Sequence, residues 1–375
     1  MLPGITSLTV DGFRALQGLT ISGFGRVNLI TGRNNTGKSS VLEALRILAS
    51  DGSPSVLFNI LRYREEALGD TEESGRLNDV DGLFQLTSLF SGFPRFTENL
   101  KPISFRAESA NRSLDLTLRV GWASPEGDVN GPRRLVERQA TLFGDEEGVV
   151  ALIVESAGVS RIMAMDKLRR YPYGSRLYRS ELAESARLQC VYVSPYGGER
   201  TETLGALWDS IALSDRETDV VEALRIIDPQ ISAVSMVGGE SPRQSRTAIV
   251  RSSRFARPVP LRSFGDGLNR LFGIVLSLVN AKDGILLIDE FENGMHHTVQ
   301  LDAWRAIFRL AHTLDVQVFA TSHSWDAIEA FQKAAAETPD VGVLTRLSRR
   351  DHQIIPTLFG EAELAVATRD RIEVR

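Results

Sequence analysis

The sequence has one cysteine, Cys190, and only five lysines: Lys38, Lys101, Lys167, Lys282 and Lys333. A single thiol excludes an intramolecular disulfide and a cysteine-based zinc site, and it fits a reducing compartment. No apolar run approaches the ~20 residues that a membrane-spanning helix needs; the longest, Leu271 to Val279, reads as a buried helix. The opening MLPGITSLTV lacks the basic start and continuous apolar stretch of a secretory signal. These absences predict a cytoplasmic protein that does not associate with membranes. A net charge of -5 argues against a uniformly basic nucleic-acid binder, although local patches survive such an average. With lysine so scarce, a lysine inside an anion-binding pattern carries more weight.

What remains is an ordinary globular composition, 42% hydrophobic and 24% charged, over 375 residues. That length allows two or three domains, or one elaborated domain with insertions. Residues 5–10 and 18–24 read as short strands and Val27 to Thr31 as a buried one. After a glycine-bounded loop, Val41, Leu42, Leu45 and Leu48 recur at helical spacing. Residues 51–100 read as loops and short helices, and 103–165 alternate as an antiparallel sheet does. Residues 166–187 suggest an exposed helical segment, 188–194 a buried strand, and 204–227 a helical stretch. An arginine-dotted, strand-like segment then runs to Pro260. The expected organisation is α/β: half of a nucleotide-binding core (1–50), an insert with an antiparallel β subdomain and helical segments (51–187), a helical lobe with linking strands (188–260), the other half-core (261–350) and a tail element (351–375).

Four motifs carry chemistry. Gly32-Arg33-Asn34-Asn35-Thr36-Gly37-Lys38-Ser39-Ser40 fits G-x-x-x-x-G-K-[ST] between a strand and a helix. Its glycines let backbone N–H groups wrap an anion, and the helix adds its positive end. Lys38 is placed to reach the β and γ phosphates of a nucleotide, and Ser39 to ligate Mg²⁺. ILLIDE (285–290) is a buried strand ending in two acids: Asp289 suits Mg²⁺ and Glu290 suits a general base. SFGDG (263–267) repeats the phosphate-loop logic, with Ser263, Gly265 and Gly267 at a helix start. In ATSHS (320–324), His323 ends a strand where it can touch a γ-phosphate and position water.

This order of loop, insert, glycine signature, acidic strand and histidine resembles the ABC-type ATPases of the SMC and RecF kind. Through DGFRAL, PLRSFGDGLNRL, ILLIDEFENGMHH and VQVFATSHSWDAI it is more closely similar to AAA/OLD-like ATPases of anti-phage defence, such as the ATPase component of the PARIS system. The resemblance implies an ABC-type P-loop core that binds ATP and Mg²⁺ and hydrolyses ATP. It also implies a head-to-tail homodimer, with room for a larger assembly, in which one copy's signature covers the other's γ-phosphate. Arg14 is implied near the phosphates, its other reading being a surface arginine after the first strand. Gln85 is implied as the Mg²⁺-sensing glutamine, and FENGMHH as the loop linking the two sites. The pair His296 and His297 suggests either a metal or interface packing. OLD-type relatives often carry a TOPRIM nuclease, for which about fifty residues after His323 are too few. The lone Asp79 and Asp81 pair reads as solvated. An effector, nuclease or toxin, is therefore expected as a separate protein. Two other readings stay open. One is a repair or chromosome ATPase that clamps DNA with Arg243, Arg246, Arg251, Arg254 and Arg257, which read equally well as a solvated edge. The other is a nucleotide-gated scaffold.

Overall fold

The computed structural model describes residues 4–64, 86–94, 100–110, 112–126, 134–138, 149–164, 187–195, 201–238, 246–338, 342–351 and 353–375. Gln85, Asp79, Asp81, Arg243 and the charged segment 166–186 lie outside the described residues. The chain opens with a hairpin, β1 (Ile5–Asp11) and β2 (Leu19–Ser22), then β3 (Val27–Thr31) and helix α1 (Lys38–Ala49). Helix α2 (Pro54–Tyr63), with proline at its first position as the missing N–H allows, comes before β4 (Ile103–Ser109), β5 (Arg112–Glu126), β6 (Arg134–Arg138), β7 (Val149–Ser156) and β8 (Val159–Ala164). Strand β9 (Cys190–Val193) is followed by α3 (Thr201–Asp209), α4 (Asp215–Ile227), β10 (Ile231–Val237), β11 (Thr247–Ser252) and β12 (Val259–Pro260). A 3-10 turn at Leu261–Phe264 enters α5 (Asp266–Asn280). The chain then alternates through β13 (Ile285–Ile288), α6 (His297–Thr313), β14 (Gln317–Thr321), α7 (Trp325–Ala336) and β15 (Gly342–Arg350), and finishes with β16 (Gln353–Phe359) and α8 (Glu361–Arg369).

The central sheet runs β16-β15-β3-β14-β13-β9 and is parallel except for β16. Both faces are covered, so its strands read as continuous apolar runs. Leu286 and Ile288 enter the core shared with α5, α6 and α7, while Ile285 and Leu287 enter a second core around α1. The second core is closed by an antiparallel sheet, β2-β1-β4-β5-β7-β8, with β6 paired to β5. That sheet is not confined to the insert: β1 pairs with β4, setting Val10 against Phe105 and Leu8 against Ala107. Alternation in both strands supplies matching apolar faces, which a local reading of either strand does not disclose. The expected helix over 204–227 is two helices, α3 and α4, broken where Leu213 takes a positive φ of 62°. The arginine-dotted segment is a three-stranded antiparallel sheet, β10-β11-β12.

Gln317 ties the two large sheets together. Its side chain donates to the Ile5 and Gly25 carbonyls and accepts from the Ile5 N–H, each at 2.8 Å. Beside it, at the strand starts, lies a cavity of about 600 Å³ lined by Ile5, Phe24, Leu188 and Ile285. It is at the end of the central strands away from the motifs and contains none of the expected site residues.

Candidate active site

Strand β3 delivers the chain to the loop. At Gly32 (φ 146°) a Cβ would lie 2.5 Å from the Leu347 carbonyl oxygen on β15, so only glycine fits there. Asn35 (φ 64°) and Gly37 (φ 86°) reverse the chain into α1, and a Cβ at Gly37 would press on Leu16 at 2.9 Å. Thr36 Oγ1 donates to the Arg33 carbonyl at 2.8 Å. Lys38 curls back on the same loop, its Nζ donating to the carbonyls of Gly32 (2.7 Å) and Arg33 (3.1 Å). Burial lowers the Lys38 pKa, against the pull of Asp289, Glu290 and Glu292. Arg33, Asn34 and Asn35 are exposed; Ser40 is buried.

The parallel order of β3, β14 and β13 brings the acidic strand end across to this loop. Asp289, 4% exposed, accepts from Ser39 Oγ at 3.0 Å, from Thr321 Oγ1 at 2.6 Å and from the Tyr192 hydroxyl at 3.3 Å. A hydroxyl and a carboxylate this close form the hard oxygen set that Mg²⁺ takes. Burial first, and then the neighbouring Asp289 charge, push the Tyr192 phenol well above its ordinary range, so it stays a donor. Glu290 has a positive φ of 48°, sparsely populated for a residue with a side chain. Several contacts hold it there: its N–H donates to Thr321 Oγ1 at 2.8 Å, and Asn293 Nδ2 donates to its carboxylate and to the Pro195 carbonyl. Arg270 of α5, 1% exposed, donates to the carbonyls of Ser194 (2.6 Å), Asp289 (3.1 Å) and Glu290 (3.4 Å). The next residue, Phe291, is fully buried and stacks on Trp304 with centroids 4.0 Å apart.

His323 follows β14, with its side chain half exposed and its ring beside the Glu292 carboxylate. Thus the loop, Asp289, Glu290 and His323 converge on one end of the central sheet. Ser263 and Gly265 stand apart from that convergence. Both are exposed, and a Cβ at Gly265 (φ 102°) would meet nothing within 4 Å. Gly267 lies at the start of α5, near Val299 and Gly294.

Arg14 is not a surface arginine. It is 6% exposed, and its Nε lies 2.8 Å from Glu43 of α1, which Arg64 also meets at 2.6 Å. His296 caps α6 by accepting from the Thr298 N–H, its ring 4.1 Å from that of His297, and no cluster of three metal-ligating side chains occurs among the described residues. Two of the arginine-dotted segment's residues are structural ties: Arg246 pairs with Asp209 at 2.6 Å, and Arg254 with Asp228 at 3.4 Å. No role is expected from the sequence of Tyr192, Arg270, Glu292, Asn293 or Thr321 individually, although Glu292 and Asn293 fall within FENGMHH, Thr321 flanks the histidine in ATSHS, and Arg270 is an arginine inside an apolar helix pattern; Tyr192 leaves no trace.

A glycine loop on a parallel strand, facing an acidic strand end through a serine and a threonine, defines a P-loop nucleotide site on an ABC-type ATPase fold. The comparisons agree. Residues 4–104 match the family described as "AAA ATPase domain", and residues 194–328 the one described as "AAA domain, putative AbiEii toxin, Type IV TA system". The chain is 24% identical over 379 residues to an ATP/GTP phosphatase of Helicobacter pylori, covering 95% of this chain and 96% of that one. Its fold is similar to that of an SMC head solved bound to the C-winged-helix domain of ScpA, with a TM-score of 0.52 at 11% identity over 96% of this chain and 98% of that one. The chain is an ATPase with an ABC-type P-loop fold. No described helix is long and apolar enough to cross a membrane.

Proposed function

We propose that two copies of this chain close head to tail around ATP and Mg²⁺, hydrolyse the ATP, and use the cycle to hold and release a separate effector in anti-phage defence. The observation that carries the hydrolytic reading is the Ser39–Asp289–Thr321 cluster set against Lys38 and Glu290. Gly32 to Ser40 wrap the phosphates, and Lys38 leaves its loop carbonyls for the β and γ phosphate oxygens. Ser39 and Asp289 hold Mg²⁺, which offsets phosphate charge when bound. Glu290 accepts the proton of the attacking water as the water oxygen bonds to the γ-phosphorus and the bond from that phosphorus to the β–γ bridging oxygen breaks, releasing ADP and phosphate; His323 steadies the water.

The dimer reading draws support from the exposed Ser263 and Gly265, whose open backbone faces solvent rather than the chain's own loop. A helix start of this kind suits an anion brought by a partner. The matched family whose description names a type IV toxin–antitoxin system supports an ATPase that works within a toxin system, and the Helicobacter pylori relative supports a nucleoside triphosphate as substrate. DNA clamping keeps less support, with Arg246 and Arg254 already paired.

The test is phosphate release by the purified chain, with mass measured by light scattering, with and without Mg²⁺-ATP. ATP-dependent doubling of mass in Glu290→Gln supports the proposal. A monomer at all nucleotide concentrations, hydrolysing ATP at the wild-type rate, would sink it.

A further inference from the structure

Glu292 has no part in the ATPase chemistry outlined above, yet it is as deeply placed as the residues that do. Its side chain is 9% exposed in the turn after β13, next to the buried Phe291. One carboxylate oxygen, Oε1, accepts the backbone N–H of His323 at 2.9 Å and lies 3.1 Å from the ring Nδ1. The other, Oε2, is buried with no hydrogen-bond partner among the described residues. Leaving a carboxylate oxygen buried and unpaired is costly, so folding alone is a poor reason for it. Its charge also reaches Lys38 on the phosphate loop.

We infer that Glu292 is a positioning residue of the hydrolytic reaction, fixing the backbone, tautomer and aim of His323. An acceptor at Nδ1 makes that nitrogen the N–H of the neutral ring, which leaves the Nε2 lone pair on the exposed side. A ring held this way accepts a hydrogen bond from water at Nε2, as ligand histidines are aimed through their second nitrogen. The double grip matters: the backbone contact sets where the ring starts and the ring contact sets how it turns. This role rests on His323 acting beside the γ-phosphate.

The experiment combines steady-state hydrolysis of Mg²⁺-ATP with nitrogen NMR of the imidazoles in the full chain; with five histidines in all, single substitutions assign the His323 signal. Glu292→Ala is expected to lower kcat by about 10–100-fold, the usual size for loss of such an orienting partner, with KM for ATP little changed. Glu292→Gln, which keeps an acceptor oxygen, is expected to restore most of that loss. In a His323→Ala background, Glu292→Ala should cost nothing more. The NMR signal should change from the Nδ1–H to the Nε2–H tautomer in Glu292→Ala alone. An unchanged tautomer, or a loss of kcat that adds fully to that of His323→Ala, overturns the proposal. If the tautomer switches but His323→Ala hydrolyses ATP normally, the positioning contact stands and the hydrolytic reading of His323 falls. Glu292→Gln serves as the readout if the alanine variant does not fold.

Discussion

At the scale of single residues, the site separates groups that act from groups that hold. Glu290 is braced at a positive φ by Thr321, Asn293 and Arg270, so exchanging its carboxylate for an amide should leave the backbone in place. Glu290→Gln is expected to slow phosphate release by about 10²–10⁴-fold, the range for a lost general base, while ATP still binds; nucleotide-binding fluorescence beside a phosphate assay checks both. Glu43 makes a contrasting case. Burial raises its pKa, more than Arg14 and Arg64 lower it. From the ordinary carboxylate range up to the raised value, the folded chain therefore binds more protons than the unfolded one, and stability falls as pH rises through that window. Glu43→Gln removes this slope but leaves the buried Arg14 without its counter-charge, so it should lower stability at neutral pH. Arg14→Met instead leaves Glu43 with one cation fewer and should cost about 3–5 kcal/mol. Denaturant melts from pH 4 to pH 8 distinguish the two. If Arg14→Met also weakens ATP binding, the phosphate role implied for that arginine gains support.

At the scale of elements, α5 is the link to watch, because it begins within SFGDG and carries Arg270 about one turn along. Through that guanidinium the helix holds the ends of β9 and β13 together. Arg270→Ala leaves three carbonyls without that donor, at a cost of about 1–3 kcal/mol, and amide exchange at Glu290 and Phe291 should quicken. Unchanged exchange there would show that the strand ends hold without it. Much of this architecture was legible in the sequence where the signal is local. The step from β3 through the loop to α1 shows in glycine spacing and helical periodicity, and β13 and β14 show as apolar runs. What stayed hidden is carried by pairing across distance. The β1–β4 register joins residues about a hundred positions apart. Arg270, Tyr192 and Glu292 earn their places only once three strands lie side by side, and no spacing rule reports that. The break between α3 and α4 went unseen because the helical pattern resumes on its far side.

At the scale of the whole molecule, one end of the central strands collects the chemistry, while Ser263 and Gly265 remain open to solvent. Closure by a second copy predicts that Ser263→Arg abolishes the ATP-dependent dimer of Glu290→Gln while leaving the melting temperature within about 2 °C, since the residue is exposed; light scattering and calorimetry decide it. The central sheet carries one more consequence, for the order of events during synthesis. The strand that leads into the phosphate loop is made long before both its neighbours, β14 and β15, which lie beyond residue 316, and Gly32 rests against the Leu347 carbonyl. At about 5–20 residues per second, a ribosome needs on the order of 15–60 s between the two halves of this pocket. A nascent chain therefore cannot complete this pocket before the residues of β15 have been made, and a chain stopped short of them should not compete for nucleotide.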